Sequence, residues 1–199
     1  PYPRAHKDLL HDTPDCALLP PMSLHQMSSS PSSLPARFAA IADIHGNADA
    51  LRAVLEDIAA QGVSQIVNLG DVFSGPLAAD GVWDLLRHQE IPTVRGNHDR
   101  YLITRTPEAM HRTDRVAYDA LPPEALEWLR SLPETLSLGE VFLCHATPRS
   151  DSLYWLEDVS PDGFVHPATL AQVCDRMGDV TARLVLCGHT HVPRVVRLG

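Results

Sequence analysis

Positive charge is scarce in this 199-residue chain: there is one lysine, Lys7, and the basic residues total 16 against 25 acidic ones, for a formal net charge of -9. A surface of that sign speaks against a protein that grips nucleic acid or an anionic membrane through a basic face. A long apolar run is missing as well, since nothing approaches the roughly 18 consecutive apolar residues of a membrane-spanning helix. The four cysteines (Cys16, Cys144, Cys174 and Cys187) form no Cys-x-x-Cys pair and are too few for a disulfide scaffold. They read as reduced thiols of a cytoplasmic protein. Leu9-Leu10 and Leu18-Leu19 are too short for the core of an export signal. Histidine, by contrast, is plentiful at eleven residues, and its placement organises everything else.

Prolines and serines crowd residues 1–36, where no hydrophobic period persists, so the expectation is a disordered extension holding His6, His11 and His25. Met22 and Met27 stand just ahead of the first strand and are candidate natural starts. Residues 37–199 read as one α/β domain in which strands and helices alternate. Strands are expected at 38–42, 66–69, 92–95 and 184–187, with a hairpin of 135–138 and 141–144 turning at Gly139. Helices are expected at 48–60 behind an Asn47 cap, at 80–88, 114–120, 123–132 and 167–177.

The polar residues fall just past the strands. Asp43 and His45 follow the first, Asp71 the second, Gly96-Asn97-His98-Asp99 the third, His145 a fourth, and Gly188-His189-Thr190-His191 the last. Ligand crevices form at that edge of an α/β sheet. Asp-x-His alone is a chance match, but Gly-Asn-His-Asp is expected only about 0.001 times in such a chain, so the ordered set carries the signal. Extended backbone would aim residues i and i+2 to one side, pairing Asp43 with His45 and His189 with His191. The same argument turns Asn97 and His98 opposite ways.

Carboxylates, imidazoles and an amide oxygen together suit manganese, iron or zinc and are too nitrogen-rich for calcium. Seven such residues exceed one ion and fit two. Asp43, His45, Asp71 and His191 are assigned to one, and Asp71, Asn97, His145 and His189 to the other. Two divalent cations sharing Asp71 would attract a phosphate and lower the pKa of a bridging water.

These blocks resemble the five signature blocks of the calcineurin-like metallophosphoesterases, spanning residues 43–191. The resemblance implies a four-layer α-β-β-α sandwich with mixed sheets and a dinuclear site, manganese being the expected metal in vitro. Hydrolysis of a phosphodiester or phosphomonoester would proceed by attack of a metal-bridging hydroxide. It also implies that His98 faces the substrate, protonating the leaving oxygen or stabilising the transition state, while Asp99 orients that imidazole. Serine/threonine protein phosphatases carry Gly-Asp-x-x-Asp-Arg-Gly, whereas this chain has Gly70-Asp71-Val72-Phe73-Ser74-Gly75-Pro76 and lacks the phosphate-gripping arginine. The short distances between blocks are closer to the small bacterial and archaeal phosphodiesterase branch. A non-catalytic scaffold on the same fold, as in the retromer subunit, is the rival reading, and the presence of His98 weighs against it. Family members continue past the position of Gly199 with a further strand, so 192–198 is expected as a strand and the chain as shortened there.

Outside the motifs the readings are plainer. Cys144 and Cys187 are core residues, and His88, His111 and His166 surface or capping residues. Arg149 is a candidate phosphate contact, Arg95 a brace for its loop, and Tyr154 with Trp155 either a stacking surface or packing under a loop. The expected substrate is a small phosphate ester, with no membrane and no nucleic acid as partner; the sequence leaves the oligomeric state open.

Overall fold

The computed structural model describes residues 33–198. The readings placed on residues 1–32, including His6, His11, His25 and both candidate starts, lie outside the described residues. Of the expected extension, 33–36 are irregular, and Leu34 leans on the core.

Strand β1 (Ala39–Ile41) runs into helix α1 (Ala48–Ala60), which returns the chain to strand β2 (Ile66–Asn68) beside and parallel to β1. Asn47 starts α1 by accepting from the Ala50 N–H at 3.0 Å, and Leu51 and Ile58 bury its inner face. The expected strand at 92–95 is reduced to one bridge, Asn68 with Thr93, secured by Val94 N–H to the Asn68 carbonyl at 3.0 Å. Helix α2 (Ala79–Leu86) precedes it, and helices α3 (Asn97–Thr104), α4 (Arg112–Ala120) and α5 (Pro123–Ser131) follow. Strands β3 (Thr135–Leu138) and β4 (Val141–Cys144) form the expected antiparallel hairpin. Strand β7 (Leu184–Leu186) adds to β4 in parallel, making that sheet mixed.

Side-chain alternation sets the layers. From β1, Ala39 and Ile41 join α1 to α5 in one apolar cluster, where Phe73, Trp83 and Trp128 meet edge to face or tilted with centroids 5.7 to 6.3 Å apart. Phe38, Ala42, Val67 and Leu69 face the other way and meet Leu138, Val141, Leu143 and Leu186 of the second sheet. That sheet's far side, with Phe142, Cys144 and Val185, packs on Trp155 and on Val173 of helix α6 (Leu170–Met177). Helices, sheet, sheet and helix therefore succeed one another. Parallel pairing brings the carboxyl ends of β1 and β2 to one edge, and those of β4 and β7 to another. His145 Nδ1 donates to the Leu69 carbonyl at 2.8 Å and ties these two edges together.

Three differences from the sequence expectation have physical causes. Helix α3 occupies a stretch too polar to show a helical period; Gly96 in extended conformation and Asp99 closing the first turn start it. A small hairpin, β5 (Glu157–Val159) with β6 (Val165–Pro167), takes up the start of the expected 167–177 helix, whose first turn begins only at a Thr169–Gln172 capping box. Residues 192–198 form no strand: among the described residues none pairs with their backbone N–H and C=O groups, and Val195 is 96% exposed.

Candidate metal centre

Six of the seven candidate ligands sit in loops just after a strand, and the seventh, Asn97, opens helix α3 after the Asn68–Thr93 bridge. Asp43, His45, Asp71, His189 and His191 all have left-handed backbone, with φ between 49° and 75°. For a residue with a Cβ that conformation costs about 1 to 2 kcal/mol, and such strain collects at functional sites. The extended pleat expected for the i and i+2 pairs is therefore absent. Asp43 and His45 still converge, on His191, whereas His189 is turned away from His191 and joins Asp71 and His145. Within each trio the ligand atoms lie inside 4.8 Å of one another.

Asp71 connects the trios. Its Oδ2 is 3.1 Å from His145 Nε2 and 3.7 Å from His45 Nε2, while its Oδ1 accepts the His98 backbone N–H at 2.9 Å. Close approach here needs glycine: a Cβ on Gly96 would strike the Asp71 carboxylate, and one on Gly70 would strike the Gly96 backbone. Asn97 Oδ1 lies 3.1 Å from His145 Nε2, beside the second trio.

The donor set fits divalent cations. His145 Nδ1 donates to the Leu69 carbonyl, so the neutral ring presents a lone pair at Nε2. That lone pair meets two further acceptors, Asp71 Oδ2 and Asn97 Oδ1. In the first trio His45 Nδ1 donates to the Ser74 carbonyl at 2.6 Å, and its Nε2 faces His191 Nε2 at 3.2 Å. Without a metal ion a proton on His145 Nε2 lies among these acceptors, and a bound cation would take its place. The charges agree. Burial disfavours charge on Asp71, yet the hydrogen bond and charge of His145, with His98 and His45 nearby, hold its carboxyl below the usual range. Burial likewise opposes a charge on His145, but Asp71 overcomes it and pushes the imidazole up to about 9. His189 is lowered by burial and by His145.

Asp99 does not orient His98. Consecutive residues in the first turn of α3 diverge by about 100°, and the Asp99 carboxylate accepts three backbone N–H groups instead: Asp71 at 2.8 Å, Val72 at 2.9 Å and Gly96 at 3.0 Å. It clamps the loop bearing Asp71 to the start of α3. Burial and the Asp71 charge push it up to about 6. Helical backbone also replaces the extended one expected at Asn97 and His98. The carboxylate at His98 is that of Asp114, whose Oδ1 is 2.9 Å from His98 Nδ1, with Ser74 Oγ at 3.3 Å from the same nitrogen. Neither residue stands out in the sequence; the one available signal is an acid at 114 on the same helical face as the buried Ala117.

Arg149 belongs to neither trio. Its guanidinium lies over Gly178, with Nη2 3.5 Å from Asp179 Oδ2. Tyr154 meets His189 edge to face at 5.5 Å, while Trp155 is buried and donates to the Val173 carbonyl. Arg95 braces its loop through Glu134 at 2.9 Å. Cys144 is buried in the third cluster with Cys187 at its margin. His88, His111 and His166 are exposed.

A family model described as calcineurin-like phosphoesterase matches residues 36–193. An uncharacterized protein of Methanocaldococcus jannaschii is 29% identical over 168 residues, covering 79% of this chain and 63% of that protein. The crystal structure of a metallophosphoesterase from Sphaerobacter thermophilus is 28% identical with a TM-score of 0.60, over 77% of this chain and 60% of that one. The chain thus spans less than two thirds of the length of these relatives, one archaeal and one bacterial. Among the described residues no helix is long and apolar enough to cross a membrane.

Proposed function

The chain belongs to the calcineurin-like phosphoesterases, and on that premise we propose that residues 37–199 hydrolyse a small phosphate ester, diester or monoester, at a pair of divalent cations. The carrying observation is that one carboxylate oxygen, Asp71 Oδ2, faces a ligand histidine of each trio at 3.1 and 3.7 Å. Asp43, His45 and His191 would hold one cation, and Asn97, His145 and His189 the other, with Asp71 between them. Once bound, such a pair supplies Lewis acidity at the phosphoryl oxygens and a water of lowered pKa. Manganese, iron and zinc all suit these ligands, and manganese is the first choice in vitro.

The rest of the chemistry falls to the protein's side chains. His98 belongs to neither trio; its ring stands 5.4 Å from that of His45 and is part exposed, as a group acting on substrate needs to be. From there it would give a proton to the leaving oxygen or hydrogen-bond the charge that develops on it. Asp99 holds the Asp71 loop in place through the three backbone N–H groups described above. Free thiols and the acidic balance support action in the cytoplasm on a small substrate.

Hydrolysis of bis-p-nitrophenyl phosphate and p-nitrophenyl phosphate with added manganese tests the reading. Turnover that requires metal and is lost in Asp71→Asn and in His98→Ala supports it, and the preferred ester assigns diesterase or monoesterase action. A protein that turns over neither ester and takes up no metal would instead be a binding scaffold.

A further inference from the structure

We infer that Asp114 is the positioning residue for His98: it holds the imidazole by Nδ1 and leaves Nε2 to act on substrate. The inference rests on the reading of His98 given above and extends it to a residue outside every signature block. Asp114 sits in the first turn of α4 and is fully buried, on a helical face that otherwise buries Ala117. An apolar side chain would occupy that position at lower cost, because a buried carboxylate needs full compensation. Compensation here is one-sided. Oδ1 receives the His98 ring at 2.9 Å and the Ser74 hydroxyl, whereas Oδ2 is buried with no hydrogen-bond partner, its nearest cation being Arg105 Nη1 at 3.9 Å. Such an arrangement serves His98 rather than the helix that carries it.

The geometry around the ring completes the case. The His98 backbone N–H is already fixed to Asp71 Oδ1, so a second hold on the ring sets its plane relative to the trios. Tyr101 meets the ring edge to face at 5.5 Å, and Arg105 covers Tyr101 at 3.6 Å, closing one flank. With Nδ1–H donated to the carboxylate, Nε2 is left to exchange a proton with a leaving oxygen. Asp114 thus takes the orienting part that the Gly-Asn-His-Asp block suggested for Asp99.

The test uses the metal-loaded full chain with Asp114→Asn, a substitution of equal size, alone and combined with His98→Ala. The expected result is a fall in kcat on the order of 100-fold with KM within about twofold. No further loss is expected when His98 is already alanine, because the two residues act as one unit. Independently of turnover, histidine 15N NMR of the zinc-loaded protein should place the His98 ring proton on Nδ1 in the native chain and lose that signal in Asp114→Asn. An unchanged kcat, losses that multiply with those of His98→Ala, or a native ring protonated only at Nε2 would each overturn the inference. If the native chain hydrolyses no phosphate ester, the reading of His98 falls while the NMR result still decides the Asp114 hold. If Asp114→Asn fails to fold, the native NMR signal and its weakening in Ser74→Ala decide instead.

Discussion

Asp71 and His98 are joined through the backbone: the His98 N–H donates to Asp71 Oδ1 at 2.9 Å, leaving Oδ2 to face His45 and His145. One carboxylate thereby fixes the start of helix α3 with one oxygen and joins two ligand trios with the other. Removing its charge should therefore act on metal before it acts on fold. Asp71→Asn is expected to lower bound manganese from two ions to one or none per chain, by elemental analysis, while far-ultraviolet circular dichroism stays native. Two tightly bound ions in that variant would remove Asp71 from the bridging position.

Metal-free protein should lose stability as pH rises from neutrality. The folded His145 is raised from 6.5 to about 9, so its contribution is complete below pH 6.5 and lost as pH climbs through 9. The size is on the order of a few kcal/mol. Asp99, raised from 3.8 to about 6, contributes in the same direction at lower pH. Asp71, held low, loses its share at the acid end instead. Urea midpoints measured from pH 6.5 to 9 on chelator-treated protein should fall, and added zinc should flatten the slope by replacing the proton. A midpoint that rises over this range would contradict the sign.

Two glycines should behave differently towards alanine. In Gly96→Ala the new Cβ meets the Asp71 carboxylate, so metal content and activity should fall together. In Gly62→Ala the Cβ meets nothing, but the backbone there has φ +67°. That variant should lose about 1 kcal/mol of stability and keep its metal. Equal metal loss in both would point to general unfolding.

Arg149→Ala should leave kcat and KM within about twofold, because the guanidinium is engaged beside Asp179 and Gly178. A tenfold rise in KM for either nitrophenyl ester would return Arg149 to the substrate.

The positions of β1 to β4 and β7, the α1 cap and the residues of both trios were legible because each leaves a local mark: an apolar run, Asn47 ahead of a helical period, or an Asp or His just past a strand. What stayed hidden is nonlocal. His98 and Asp99 are neighbours in sequence, which invites pairing them, yet the helix turns their side chains about 100° apart and the partner comes from α4. The left-handed turns at five ligand residues leave no sequence mark either, since Asp and His occur in any loop. The β5–β6 hairpin was unreadable because its strands are three residues each, β5 opening on a buried acid, Glu157, and β6 being exposed throughout, so neither shows an apolar alternation.

Five candidate ligand residues held in left-handed backbone would make an ion shell part of the folding equilibrium. Whatever occupies the trios binds the folded chain and not the unfolded one, and shifts the balance in proportion to the logarithm of its concentration. Scarcity of transition metal would then be felt as abundance of the protein, through a larger unfolded fraction open to proteases, before it is felt as a slower reaction.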